Sequence, residues 1–171
     1  RALIARFLGP TGGWKRQSAV LTGALAVAGG LALAEGKPNT LGLKPQAVEI
    51  TARRIAGFDK EQPEKKKFGR LEWRGGLVLS SPSTSFGGWS GLNVDANGSR
   101  LIAVSDAGTW LTADLTYEGS RPAALKSARI GPLQSVEKKT LARNRDRDAE
   151  GIALLDGTLD KGTALVSFEQ N

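Results

Sequence analysis

From Phe68 onward the chain alternates short apolar runs with clusters of Gly, Asn, Asp, Ser and Pro, and no stretch sustains a helical period. Leu77-Val78-Leu79 predicts one strand and Trp89 to Val94 the next. Asp95-Ala96-Asn97-Gly98 follows as a turn, since Asn and Gly both tolerate positive φ, and Arg100 to Ser105 returns as the second arm of a hairpin. Asp106-Ala107-Gly108 predicts another turn. Beyond it, Trp110, Thr112 and Asp114 alternate with Leu111, Ala113 and Leu115, the period of two that a half-buried strand requires. Arg121 to Pro132 has room for one more strand, and residues 134–148 read as a long polar loop. Strands about ten residues apart with turn signals between them predict an all-β fold.

An internal repeat sharpens that expectation. Ser90-Gly91-Leu92 aligns with Glu150-Gly151-Ile152, and Val104-Ser105-Asp106 with Val166-Ser167-Phe168-Glu169. Each unit reads polar, Gly, aliphatic, a turn rich in Asp and Gly, then an apolar strand ending in Val-Ser and an acid. Short strands repeating at this interval fit the blades of a β-propeller. Residues 35–67 form an irregular lead-in, apart from an alternating stretch from Ala47 to Ile55, and Glu61 to Lys67 reads as a charge-dense, solvated loop.

The N-terminal 34 residues differ in kind. Arg1, Arg6, Lys15 and Arg16 precede the uncharged run Ser18 to Ala34, which ends in the small-x-small pattern Ala32-Leu33-Ala34 before Glu35 restores polarity. A basic start, a short apolar stretch and a small-residue cleavage site predict a secretory signal peptide over residues 1–34, and hence a periplasmic or secreted protein. A membrane anchor is the competing expectation, and in that case the segment touches the membrane only if it stays uncleaved. This stretch holds no acid and supplies +4 of the formal +7 charge, so the high isoelectric point does not argue for nucleic acid as a partner. The chain has no His and no Cys, which excludes within it a Ser-His-Asp triad, a Cys nucleophile and a His- or Cys-bound zinc. Catalysis must then use carboxylates, Lys or Arg, hydroxyls or an oxygen-bound metal.

Several blocks together resemble the phytase-like family of exported bacterial β-propellers, described by esterase-like phytase activity. They are Trp73 to Ser81, Phe86-Gly87-Gly88-Trp89-Ser90-Gly91-Leu92, Ala103 to Trp110, Ala128 to Leu133, Arg147-Asp148-Ala149-Glu150-Gly151-Ile152-Ala153 and Val166 to Glu169. The resemblance covers residues 68–171 in order. It implies a propeller of which about the first two blades are present, a monomer at full length, and hydrolysis of an ester or phosphoester in a small-molecule substrate. A non-catalytic propeller that binds a ligand or a protein partner is the alternative.

The hairpin reading suggests where chemistry would gather. In an antiparallel pair the start of one strand lies beside the end of the other, which sets Ser90 near Asp106 and Glu150 near Glu169. If both hairpins are inner pairs of neighbouring blades, Asp106, Glu150, Glu169 and Asp148 meet at one mouth. Such an oxygen-only set suits Ca²⁺, with Glu150 and Asp106 as catalytic candidates. Arg145, Arg147 and Arg74 are candidate clamps for an anionic substrate. Asp95 and Asp156 read as turn residues, and Trp73, Trp89 and Trp110 as packing.

Overall fold

The computed structural model describes residues 2–7, as backbone, and 43–169, leaving aside the side chains of Asn144 and Arg145. The apolar run Ser18 to Ala34 lies outside the described residues. No helix among the described residues is long and apolar enough to cross a membrane. Among the described residues the fold is all-β and antiparallel, with a single helical turn.

Strand β1 (Ala2–Phe7) pairs with the last strand of the chain, from Ala2 opposite Ser167 to Phe7 opposite Gly162. Strands β2 (Gln46–Ala47) and β3 (Thr51–Arg54) form around the alternating part of the lead-in. A short hairpin, β4 (Lys67–Phe68) and β5 (Leu71–Glu72), turns over Gly69. Its Phe68 ring meets Phe58 edge-on at 4.9 Å, and Phe58 also lies against Trp73 at 5.6 Å. Strand β6 (Leu77–Ser80) pairs with β3, Thr51 opposite Ser80. Strands therefore form on both sides of residue 68, and those of the lead-in join the later ones.

The main sheet is a meander of β7 (Trp89–Val94), β8 (Arg100–Ser105), β9 (Thr109–Glu118) and β10 (Arg121–Pro132), with β2 added outside β10. The β7–β8 turn closes as expected of an Asp at its start. Asp95 accepts from the Arg100 backbone at 2.9 Å through its carboxylate, and the Tyr117 hydroxyl donates to the Gly98 carbonyl at 2.7 Å. After Pro132, Gln134 bridges Thr140, and α1 (Asn144–Arg147) makes one turn. The chain ends in a second hairpin, β11 (Ala149–Gly157) and β12 (Gly162–Phe168), whose outer edge carries β1.

Each face of the main sheet has its own core. On the lead-in face Leu101, Ala103, Leu111 and Ala113 are buried under Val48, Ile50, Leu79 and Phe86. On the other face Val104 and Leu133 are buried with Ala149 and Val166 of the second hairpin, and Trp110 and Ile152 pack against them. Trp110 lies flat on Gly131, where any Cβ would sit 2.4 Å from the ring. Trp89 meets Phe86 edge-on, so the tryptophans serve packing, as their spacing suggests.

Three contacts fix the second hairpin on the sheet. At the centre a Cβ on Gly91 would stand 2.8 Å from the Gly151 Cα, so the two backbones touch where the repeat puts equivalent glycines. At one end the Arg147 side chain crosses Gly108. At the other end Arg100 pairs with Asp160 in the β11–β12 turn and with Asp114 on β9 at 3.2 Å. Strands β7 and β11 consequently run the same way, with their first residues at one end.

Candidate functional site

Both hairpins open on the same irregularity. In the first, Trp89 faces Ser105 and Gly91 faces Val104, leaving Ser90 as a bulged extra residue. In the second, Ala149 faces Phe168 and Gly151 faces Ser167, leaving Glu150 extra. One residue further out, the Asp106 amide donates to the Gly88 carbonyl at 3.0 Å and the Glu169 amide to the Asp148 carbonyl at 3.0 Å. A bulge of this kind turns its side chain out of the ladder and bends the strand, which suits the rim of a site. The structural repeat therefore equates Gly88, Ser90 and Asp106 with Asp148, Glu150 and Glu169. It also sets Ser167, not Val166, in the place of Val104, one residue away from the match that the letters suggest.

In the second hairpin this framework gathers charge. Carboxylate oxygens of Asp148, Glu150 and Glu169 lie within 4.8 Å of one another, with Asp148 buried at 9 % exposure and the two glutamates exposed. Like charges at that spacing repel by on the order of 1 to 4 kcal/mol per pair between bulk water and a protein surface. The donor set is three hard oxygens from one hairpin, a combination that fits a cation such as Ca²⁺ and completes only part of its usual shell.

Asp106 does not join that group. Its carboxylate folds back over Gly88, where a Cβ would stand 2.0 Å from Asp106 Oδ1. This Oδ1 is buried and accepts no hydrogen bond among the described residues. The turn that carries Asp106 is held from beneath: Ser105 Oγ and Thr109 Oγ1, in two fully buried residues, lie 2.6 Å apart, and the Thr109 amide donates to Ser105 Oγ at 3.2 Å. Gly108 must be glycine twice over, because its φ is 75° and the Arg147 stem fills the space where a Cβ would go, 2.7 Å away. The hydroxyl pair and Gly88 escape a reading based on charge. Their sequence signal is the Gly87-Gly88 pair and the Ser and Thr flanking Asp106-Ala107-Gly108.

The three arginines separate. Arg147 lies at the carboxylate end, its stem over the Asp106 turn and its backbone next to Asp148. Arg145 sits on α1, with its side chain outside the described part. Arg74 pairs with Glu72 at 3.5 Å, and the adjacent Gly75 abuts Pro122 at the opposite end of the main sheet. The structure does not bring Arg74 to the acids.

A family model described as Phytase-like, esterase-like activity of phytase, matches residues 84–171. The match begins just before β7 and takes in Asp106, Asp148, Glu150 and Glu169; the block Trp73 to Ser81 falls outside it. No curated protein and no solved structure matches the chain. The family model spans β7 to β10, the Arg147 turn and the second hairpin together, just over half of the sequence, and the chain belongs to the Phytase-like family.

Proposed function

We propose that this is an exported hydrolase of ester or phosphoester bonds, assisted by a hard cation at the mouth of the second hairpin. The observation that carries the reading is the grouping of Asp148, Glu150 and Glu169 within 4.8 Å, one of them buried, on a chain of the Phytase-like family. In this reading β7 to β10 make one propeller blade, β11 and β12 begin the next, and the two bulges face one channel mouth. The three carboxylates would hold Ca²⁺, which supplies positive charge to polarise a phosphoryl or carbonyl oxygen. Glu150, exposed on its bulge, would accept a proton from an attacking water. Arg147, whose stem lies over the Asp106 turn, would meet an anionic substrate with a planar fork suited to phosphate. Asp106 borders the same end from the first hairpin. Export through cleavage near Glu35 belongs to the same proposal; it would remove β1 and leave β12 as the edge of its sheet.

A second reading, a propeller that binds a ligand without turning it over, draws on Asp106 and Arg74 standing apart from the acids. One experiment separates the two. With calcium at a hundredfold excess over its Kd, linkage raises stability by about 2.7 kcal/mol, so the melting temperature should rise with calcium and fall back with a chelator. Glu150→Gln keeps the shape and removes a charge. It should weaken both the calcium response and any release of phosphate or of a chromogenic alcohol, whereas Asp156→Asn should alter neither. A calcium response without turnover supports the binder. Identical responses from wild type and Glu150→Gln overturn the cation site.

A further inference from the structure

The two bulges carry different chemistry at equivalent places. Ser90 stands on the first hairpin and Glu150 on the second, each the extra residue of its strand and each exposed. Each comes immediately before one of the two glycines whose backbones touch, Gly91 against Gly151. Since β7 and β11 run the same way, Ser90 and Glu150 leave that contact in the same direction. A glutamate side chain is long enough to cross between strands this close. The fold thus seats a hydroxyl beside a carboxylate, from separate elements, at the end where Asp148 and Glu169 gather.

The surroundings suit that hydroxyl to attack. Ser90 Oγ donates to the Gly88 carbonyl at 3.5 Å, the loose end of the hydrogen-bond range, so little stops it from turning toward a substrate. Asp106 turns its Oδ1 inward over Gly88, which leaves Glu150 as the exposed carboxylate to take the proton. With no His in the chain, a carboxylate is the base at hand. Charge then selects the substrate. Three carboxylates outweigh one divalent cation, so the mouth stays acidic even when loaded, and it repels a phosphate dianion but not an uncharged ester.

We propose that Ser90 is the nucleophile of this site, with Glu150 as its base, and that the substrate is a neutral carboxylic ester. The proposal rests on the hydrolase reading and narrows it. Ser90 Oγ bonds to the carbonyl carbon as its proton passes to Glu150. The bond from that carbon to the alcohol oxygen breaks, and Glu150 hands the proton to the leaving oxygen. Water then attacks the acyl carbon and gives a proton to Glu150. The bond to Ser90 Oγ breaks, the carboxylic acid departs, and Ser90 recovers its proton from Glu150.

The test incubates the full chain with p-nitrophenyl acetate and calcium, follows release of nitrophenol, and maps the quenched protein by peptide mass spectrometry. An acetyl group should appear on Ser90 as an ester that hydroxylamine removes, unlike an acetyl group on lysine. Ser90→Ala should lose that adduct, and both Ser90→Ala and Glu150→Gln should release nitrophenol more slowly, on the order of a hundredfold. Ser90→Thr keeps a hydroxyl and should keep the adduct, which separates chemistry from any damage to the bulge. Release from Ser90→Ala at the wild-type rate would mean that water attacks directly; this overturns the nucleophile and leaves the hydrolase reading standing. A wild type that releases no nitrophenol also overturns the proposal. If it still releases phosphate from a phosphoester, the hydrolase reading survives; if it releases neither, both fall.

Discussion

At the scale of single residues, one ion pair offers a clean pH readout. Arg54 on β3 meets Glu118 at the end of β9 at 2.5 Å, tying the lead-in to the main sheet. The hydrogen bond from Arg54, reinforced by its charge, holds the Glu118 carboxyl below its usual range, and the same contact raises the Arg54 guanidinium. A carboxyl depressed in the folded state contributes stability above its unfolded pKa and loses that contribution as pH falls through its folded value. Thermal melts of wild type and Glu118→Gln should therefore differ slightly at neutral pH and converge as the pH falls below the ordinary carboxylate range. The gap should also shrink in high salt, because both side chains face water. A gap that widens on acidification would contradict the pair. Glu150, Glu169 and Asp148 were readable as a group because the start of one hairpin strand lies beside the end of the other, whereas the bulge that carries Glu150 was not. The position of Asp106 was not readable, because it depends on the missing side chain of Gly88, and no charge pattern reveals a space left by glycine.

At the scale of elements, Trp89 to Val94 and Arg100 to Ser105 form with the limits that their turn signals suggest. Strand β10 shows why its segment read faintly. Register breaks between Pro122 and Ala124 and between Lys126 and Arg129 interrupt the alternation, and Ser127 takes a φ of 50° at the second break. The pairing of β3 with β6 was likewise hidden, since a long-range partner leaves no local periodicity. The contact between β7 and β11 is the most sensitive join among these elements. A methyl group on Gly91 would meet Gly151 Cα and C and Ile152 N at 2.8–2.9 Å, all of them backbone. Backbone cannot rotate aside, so Gly91→Ala should lower stability by about 1–3 kcal/mol, as overpacking does. Urea denaturation measures it. An unchanged midpoint would mean that the two strands do not lie this close.

At the scale of the whole molecule, the all-β class was legible from the spacing of turns, while the sandwiching of one sheet between lead-in and hairpin was not. Both covers come from segments distant in sequence. Export makes a prediction here: expressed in a bacterial host behind its own N-terminal segment, the mature protein should begin within a few residues of Glu35. N-terminal sequencing checks this, and an intact apolar run on a membrane-bound product would favour an anchor. Finally, the parallel course of β7 and β11 gives the molecule two unlike poles. The Arg100–Asp160 and Arg100–Asp114 pairs and the Asp95 turn brace one pole, while Ser90, Asp106, Glu150 and Glu169 stand at the other. The Arg100 ion pairs and the acids are thereby kept a strand's length apart, with the Arg147 stem over Gly108 as the contact that fixes the acid pole. Acids can therefore be exchanged at the second pole while the Arg100 pairs at the first stay intact.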